Sequence, residues 1–197
     1  MNSKITNINR FLIRVYFGEI KNDNLLENKI QIAINKAYLD FCRTLHEFSK
    51  EKEHDDILVD SKLYLKNKIL ELTKEQKPNQ NFYDNWHRQT CDNIIKFFPL
   101  TKNYFHYGQA QKWINMTLKY LFVLEVSELN NMLAFLHVPI DNIILDKLKN
   151  RQMDYPKFET PWSKIDNYDK YINFQKWLRG QFPNQIPMDT EFKLWME

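Results

Sequence analysis

The stretch from Gln109 to Glu125 constrains the fold more than any other part of the chain. Ile114, Leu118, Leu121 and Leu124 recur at helical spacing and form one apolar stripe. Trp113, Met116, Tyr120 and Val123 fill the neighbouring stripe. A helix apolar around so much of its circumference needs other elements on most sides, so the pattern predicts a central helix. A narrow polar seam of Lys112, Asn115 and Lys119, at i, i+3 and i+7, is its one interruption.

The rest of the chain reads as helices that surround it. There are only three glycines in 197 residues, too few for a fold built on many tight β-turns, so an all-α architecture is expected. The spacing predicts helices over residues 4–19, Leu25–Ser49, Lys62–Lys74 with a cap at Val59-Asp60-Ser61, and Phe82–Phe98 ended by Pro99. Ser127 is expected to cap a helix reaching Leu136. Asp141 opens another through Lys149, after Pro139 breaks the chain. Trp162–Gln181 reads as helical with an interruption at 166–168, and Pro187-Met188-Asp189 precedes a short helix ending near Trp195. The charged run Lys50–Asp56 and the irregular stretch Leu100–Tyr107 read as connectors. Nothing resembles an internal repeat or a long linker, so one domain over 1–197 is expected, with approximate lobes 1–98 and 99–197.

A net charge of +3 permits nucleic-acid binding without demonstrating it. Cys42 and Cys91 match no metal spacing and read as reduced thiols. His87, His106 and His137 fit no compact zinc pattern either, so no metal site is expected. Arg10 and Arg14 interrupt the first apolar run, and no stretch has the length to cross a bilayer. A cytoplasmic, monomeric protein with no membrane partner is the expectation.

The seam carries the chemistry. A lysine in the first turn of a helix lies at the wrong end of the macrodipole, and burial beside Trp113 adds a desolvation penalty. Both effects favour the neutral amine, which can attack carbon. The Asp141 side chain would cap the following helix and stay ionised. Taken alone, each has a plainer role, as a surface lysine and a structural cap.

Together the two motifs resemble a known family. A helix, a short hairpin, a helix with an early lysine and a Pro-x-Asp opening the next helix are similar to the helix-hairpin-helix DNA glycosylases, most of all the archaeal-type 8-oxoguanine glycosylases. Gln111-Lys112 followed by Lys119 matches that family's Gln/Ser-Lys with a second lysine seven residues on, and Pro139-Ile140-Asp141 matches its Pro-Val-Asp. The 29 residues from Lys112 to Asp141 leave room for the extra helical segment of that branch. Weaker likeness continues into Pro161-Trp162-Ser163, Ile186-Pro187-Met188-Asp189 and Leu194-Trp195. The chain departs at the hairpin, where Phe105-His106-Tyr107-Gly108 stands for a glycine-rich Leu-Pro-Gly-Val-Gly, and in a longer spacing from Asp189 to Trp195.

The resemblance implies a two-lobed helix-hairpin-helix fold around a cleft that bends duplex DNA and extrudes one base. Lys112 would be the nucleophile at C1′, with an optional β-lyase step, and Asp141 would stabilise the developing sugar cation. Gln111, Asn115, Trp162, Asp189 and Trp195 would contact the base, and His106, Tyr107, Gly108 and Lys119 the DNA. Lys96, Lys102, Lys147, Lys149 and Arg151 flank this site and are candidates to meet phosphates, the plainer reading being solvated surface charge. No cofactor is implied. 8-Oxoguanine is the first substrate expectation and a modified cytosine, as in phage DNA, the second. The rival expectations are a catalytically silent DNA-binding domain and a helical protein-interaction module.

Overall fold

A computed structural model describes residues 3–21, 23–99 and 105–197, with side chains from residue 7 onward. Lys102 and most of the connector beginning at Leu100 therefore lie outside the described residues. Eight α-helices occur among those described, with no strand: α1 Ser3–Phe17, α2 Leu25–Phe41, α3 His54–Leu72, α4 Gln80–Phe97, α5 Tyr107–Val123, α6 Asn142–Asn150, α7 Tyr168–Gln181 and α8 Pro187–Met196.

Helix α5 is the central element that its sequence demands. Every residue from Gly108 to Leu121 is buried, against α2, α4, α7 and a turn at Trp162–Lys164. Helix α2 offers it the face Ile30, Ala33, Ile34, Ala37 and Phe41, where the two alanines leave room for large neighbours. Trp113 fills that room, and its indole N–H donates to the Ile34 carbonyl at 3.1 Å. Lys29 donates to the Leu124 carbonyl at 2.7 Å, placing a cation where the α5 dipole is negative. One hydrophobic core runs through both halves of the chain.

Three helix boundaries differ from expectation. Helix α2 stops at Phe41 instead of reaching Ser49; Glu47 takes a left-handed φ of 65°, which no α-helix can contain. That reversal turns Phe48 inward onto Phe98, ring centroids 5.0 Å apart. Helix α3 begins at His54, well before Lys62, because Asp55 and Asp56 in its first turn suit the positive helix end. Ser61, expected as a cap, is instead buried in mid-helix and bonds the Leu58 carbonyl. Between Ser127 and Leu136 only two single 3-10 turns form, Ser127–Leu129 and Leu133–Phe135. Their backbone bonds close three-residue steps: Asn130 N–H to the Ser127 carbonyl and Phe135 N–H to the Met132 carbonyl. This tighter path lets Leu129, Met132 and Leu136 reach the core.

Local signals set the remaining boundaries. The Asn79 side chain accepts from the Phe82 N–H at 2.9 Å and starts α4. Pro187 stands at the first position of α8, where its missing N–H has no helical partner to lose. No helix among the described residues is long and apolar enough to cross a membrane.

Candidate active site

Lys112 and Asp141 meet. Helix α5 begins at Tyr107, so Lys112 is its sixth residue and sits in the second turn, not the first. The macrodipole argument for a neutral amine therefore weakens, since that field fades beyond the first turn. Asp141 caps α6 as expected: one carboxylate oxygen accepts from the Ile144 N–H at 3.0 Å. Its other oxygen takes the Lys112 Nζ at 2.6 Å. The two side chains are only 6% and 17% exposed. An amine and a carboxylate are thus held in contact, largely away from water, by two helices that the sequence connects only through 29 residues.

More charge gathers around the pair. Lys119 binds the Glu191 carboxylate at 2.7 Å and lies 5.0 Å from the Phe192 ring centre and 5.8 Å from that of Trp195. The second Glu191 oxygen is buried without a partner. Burial pushes the Glu191 carboxyl above the usual carboxylate range, even against the pull of Lys119. On α2, Asp40 accepts from the Tyr120 hydroxyl at 2.8 Å. Burial raises its carboxyl too, opposed by the Tyr120 bond and the charges of Lys112 and Lys119. Asp40 and Glu191 are the members that sequence reasoning missed. Neither stands in a motif, and only the packing of α2 and α8 onto α5 brings them here.

The residues expected to contact a base divide into two groups. Gln111 and Asn115 are fully buried and engaged within the protein. Gln111 Nε2 donates to the carbonyls of Gly108 and Ile140, and its Oε1 accepts from Ile140 N–H and Asn115 Nδ2. Trp162 is also in the core, whereas Trp195 is half-exposed beside Lys119 and Asp189 partly exposed in the first turn of α8. It is Glu191, two residues beyond Asp189, that reaches the lysine.

The hairpin residues are likewise used internally. Gly108 N–H donates to the Ile165 carbonyl at 3.0 Å, so that amide is not presented to a phosphate. The Tyr107 hydroxyl donates to Asp92 at 2.6 Å, and burial together with that carboxylate pushes it up to about 12. The backbone N–H of His106 donates to Gln109 Oε1 at 2.7 Å and fixes the start of α5. Of the flanking cations, Lys96 bonds Asn93 and Arg151 pairs with Glu197. Lys147 and Lys149 occupy the last turn of α6, where they complement its dipole.

Behind Asn115 lies a buried polar chain that ends on Asp84. A carboxylate only accepts, so His137 donates from Nε2 to Asp84 at 2.8 Å and accepts at Nδ1 from the Tyr171 hydroxyl at 2.8 Å. Tyr171 accepts from Asn115 Nδ2 at 2.9 Å, and Asn115 Oδ1 accepts from His87 Nε2 at 3.1 Å. His87 Nδ1 faces the Tyr168 hydroxyl at 3.0 Å. Burial lowers His137 to about 4 despite Asp84, and burial together with His137 holds His87 well below the usual histidine value. No group of three or more His, Cys, Asp or Glu residues arranged to hold a metal occurs among the described residues.

That chain predicts acid sensitivity. Below pH 6.5 an unfolded histidine takes up a proton that folded His137 refuses until about pH 4. The unfolded state then binds more protons, so stability is lost as pH falls through that window. Between pH 7 and pH 4.5 the loss is about 2 kcal/mol for this one group. Denaturant unfolding at pH 7 and pH 4.5 measures it, and equal stabilities would contradict the assignment of a neutral, buried His137.

No protein-family model, curated protein or solved structure matches the chain.

Proposed function

We propose that this chain is a DNA glycosylase of the helix-hairpin-helix type, with two lobes closing on a damaged or modified base extruded from duplex DNA. The observation that carries the reading is the contact between Lys112 and the helix-capping Asp141. An amine nucleophile and a fixed carboxylate are the two groups that glycosidic cleavage through a covalent intermediate uses. Once Lys112 gives up its proton, Nζ bonds to C1′. The C1′–N bond breaks, and its electron pair leaves with the base, which takes up a proton. Asp141 stabilises the positive charge that develops on the sugar. The amine now on C1′ loses a proton and pushes its lone pair toward C1′ as the C1′–O4′ bond breaks; O4′ takes up a proton, and the resulting protonated imine permits β-elimination.

The Lys119–Glu191 pair, flanked by Phe192 and Trp195, supplies polar and aromatic contacts for the extruded base, 8-oxoguanine first and a modified cytosine second. Phosphate contacts fall to surface cations such as Lys147 and Lys149, because Ile165 occupies the Gly108 amide. A second reading, a helical DNA-binding or protein-interaction module without catalysis, is favoured by how closed the pair is. Lys112 is only 5% exposed, and an open hollow lies elsewhere, between α3 and α4 against Glu71, Phe82 and Trp86.

Asp141→Asn separates the two readings. Asparagine is an equally good cap, but it leaves the Lys112 ammonium without its counter-charge. Stability should therefore fall by about 3 kcal/mol, and excision is compared at a temperature where both proteins are folded. Loss of the charge should slow single-turnover excision by about 10²–10³-fold. An Asp141→Asn protein that excises at the wild-type rate reduces the residue to a cap. A wild type that neither binds nor cuts any duplex at low salt leaves only a protein-interaction role.

A further inference from the structure

The segment between the last 3-10 turn and α6 has no helix to satisfy its backbone, yet it is buried from Leu136 to Ile140. Buried peptide groups need partners. Two glutamines from different helices provide them in the same way. From α7, Gln175 accepts from the Val138 N–H at 3.1 Å and donates to the Val138 carbonyl at 2.8 Å. From α5, Gln111 accepts from the Ile140 N–H at 3.1 Å and donates to the Ile140 carbonyl at 2.8 Å. Each primary amide pairs with both peptide groups of one residue, as a neighbouring strand would. Pro139, between them, has no N–H to satisfy.

The fork at Ile140 is the more constrained. Gln111 uses both of its donors and both acceptor positions, the remaining two on the Gly108 carbonyl and Asn115. Asn115 is held in turn by Tyr171 and His87, and Tyr171 by His137. Ile140 directly precedes Asp141, and Gln111 directly precedes Lys112. One side chain therefore ties together the backbones that carry the amine and the carboxylate.

We propose that Gln111 is a positioning residue: by clamping Ile140 to α5, it sets where the Asp141 carboxylate stands relative to Lys112. It touches neither base nor DNA. The inference rests on the glycosylase reading for its catalytic consequence, though not for its geometry. Without the clamp, the Ile140 peptide groups are unpaired, the start of α6 can shift, and the carboxylate leaves its place beside the sugar.

The test is a double-mutant cycle with a DNA-free control. Gln111→Met keeps the side-chain length and removes the fork. It should slow single-turnover excision by about 10²-fold, with duplex affinity unchanged. In an Asp141→Asn background the same change should cost almost nothing further, because the group it positions is gone. An equal loss in both backgrounds overturns the proposal, as does a loss confined to duplex affinity. In the absence of DNA, the Ile144 amide, protected by Asp141, should exchange about five- to tenfold faster in Gln111→Met, with the amides of mid-α5 unchanged. Unaltered exchange at Ile144 also overturns it. If the wild type cleaves no duplex, the glycosylase reading falls, while the exchange result still decides whether Gln111 places Asp141. Should Gln111→Met fail to fold, Gln175→Met removes the fork at Val138 and should show a smaller loss of the same kind; wild-type exchange and excision there would overturn the clamp.

Discussion

Glutamine in place of Lys112 is expected to abolish both base excision and the borohydride-stable adduct with DNA. The amide nitrogen has no free lone pair and cannot form an imine. Stability should fall as well, because Asp141 loses the ammonium 2.6 Å away. Removing one partner of a buried ion pair costs about 3–5 kcal/mol. The lower end applies here, since Asp141 is 17% exposed and keeps the Ile144 N–H. Thermal unfolding then moves down by roughly 6–12 °C. Duplex affinity, measured separately, should survive, because Lys112 is too buried to meet phosphates before a base is extruded. Intact excision by the variant would show that the nucleophile lies elsewhere.

Alanine in place of Gly108 should also destabilise the fold, through a backbone clash. Two effects oppose each other. Alanine inside a helix gains about 1 kcal/mol over glycine. A Cβ at this position, however, would stand 1.9 Å from the Trp162 carbonyl oxygen and 2.8 Å from the backbone carbon of Ser163. Neither atom is the movable end of a side chain, so the turn at Trp162–Lys164 must move away from α5. It would take with it the 3.0 Å bond from Gly108 N–H to the Ile165 carbonyl. Overpacking of this kind costs about 3 kcal/mol, and the clash outweighs the propensity. A melting temperature at or above wild type would show that the turn yields freely. The glycine of this hairpin thus serves a close approach between backbones, where the likeness to glycine-rich hairpins suggested a phosphate contact.

The parts of this structure that were legible in the sequence depend on local chemistry. Pro139 ending one segment, Asp141 capping the next and the apolar girth of α5 all appear where their patterns place them. Asn79 heads α4 by the same local chemistry, although no cap was expected there. What was not legible depends on the third dimension. Helix propensity continues past Phe41, but burying Phe48 demands the left-handed turn at Glu47. Asp55 and Asp56 looked like solvated charge, although carboxylates in a first turn were an available sign of α3. The seam of Lys112, Asn115 and Lys119 was visible as a pattern, yet its three members diverge. Lys112 reaches Asp141, Asn115 enters the histidine–tyrosine chain and Lys119 reaches Glu191. Spacing along one helix shows a shared face and cannot show which helix will pack there. For the same reason Gln111, expected to read a base, is spent on the backbone of Ile140, and Asp40 carried no sequence signal at all.

The central claim is that Lys112 attacks the sugar. Borohydride reduction of the wild-type protein with duplexes carrying 8-oxoguanine or phage-type modified cytosines tests it directly, with the cross-linked residue located by peptide mass spectrometry. The account predicts a DNA remnant on the peptide at Lys112, and none on Lys119. An adduct on Lys119, or no adduct with any duplex that the protein cleaves, would contradict it.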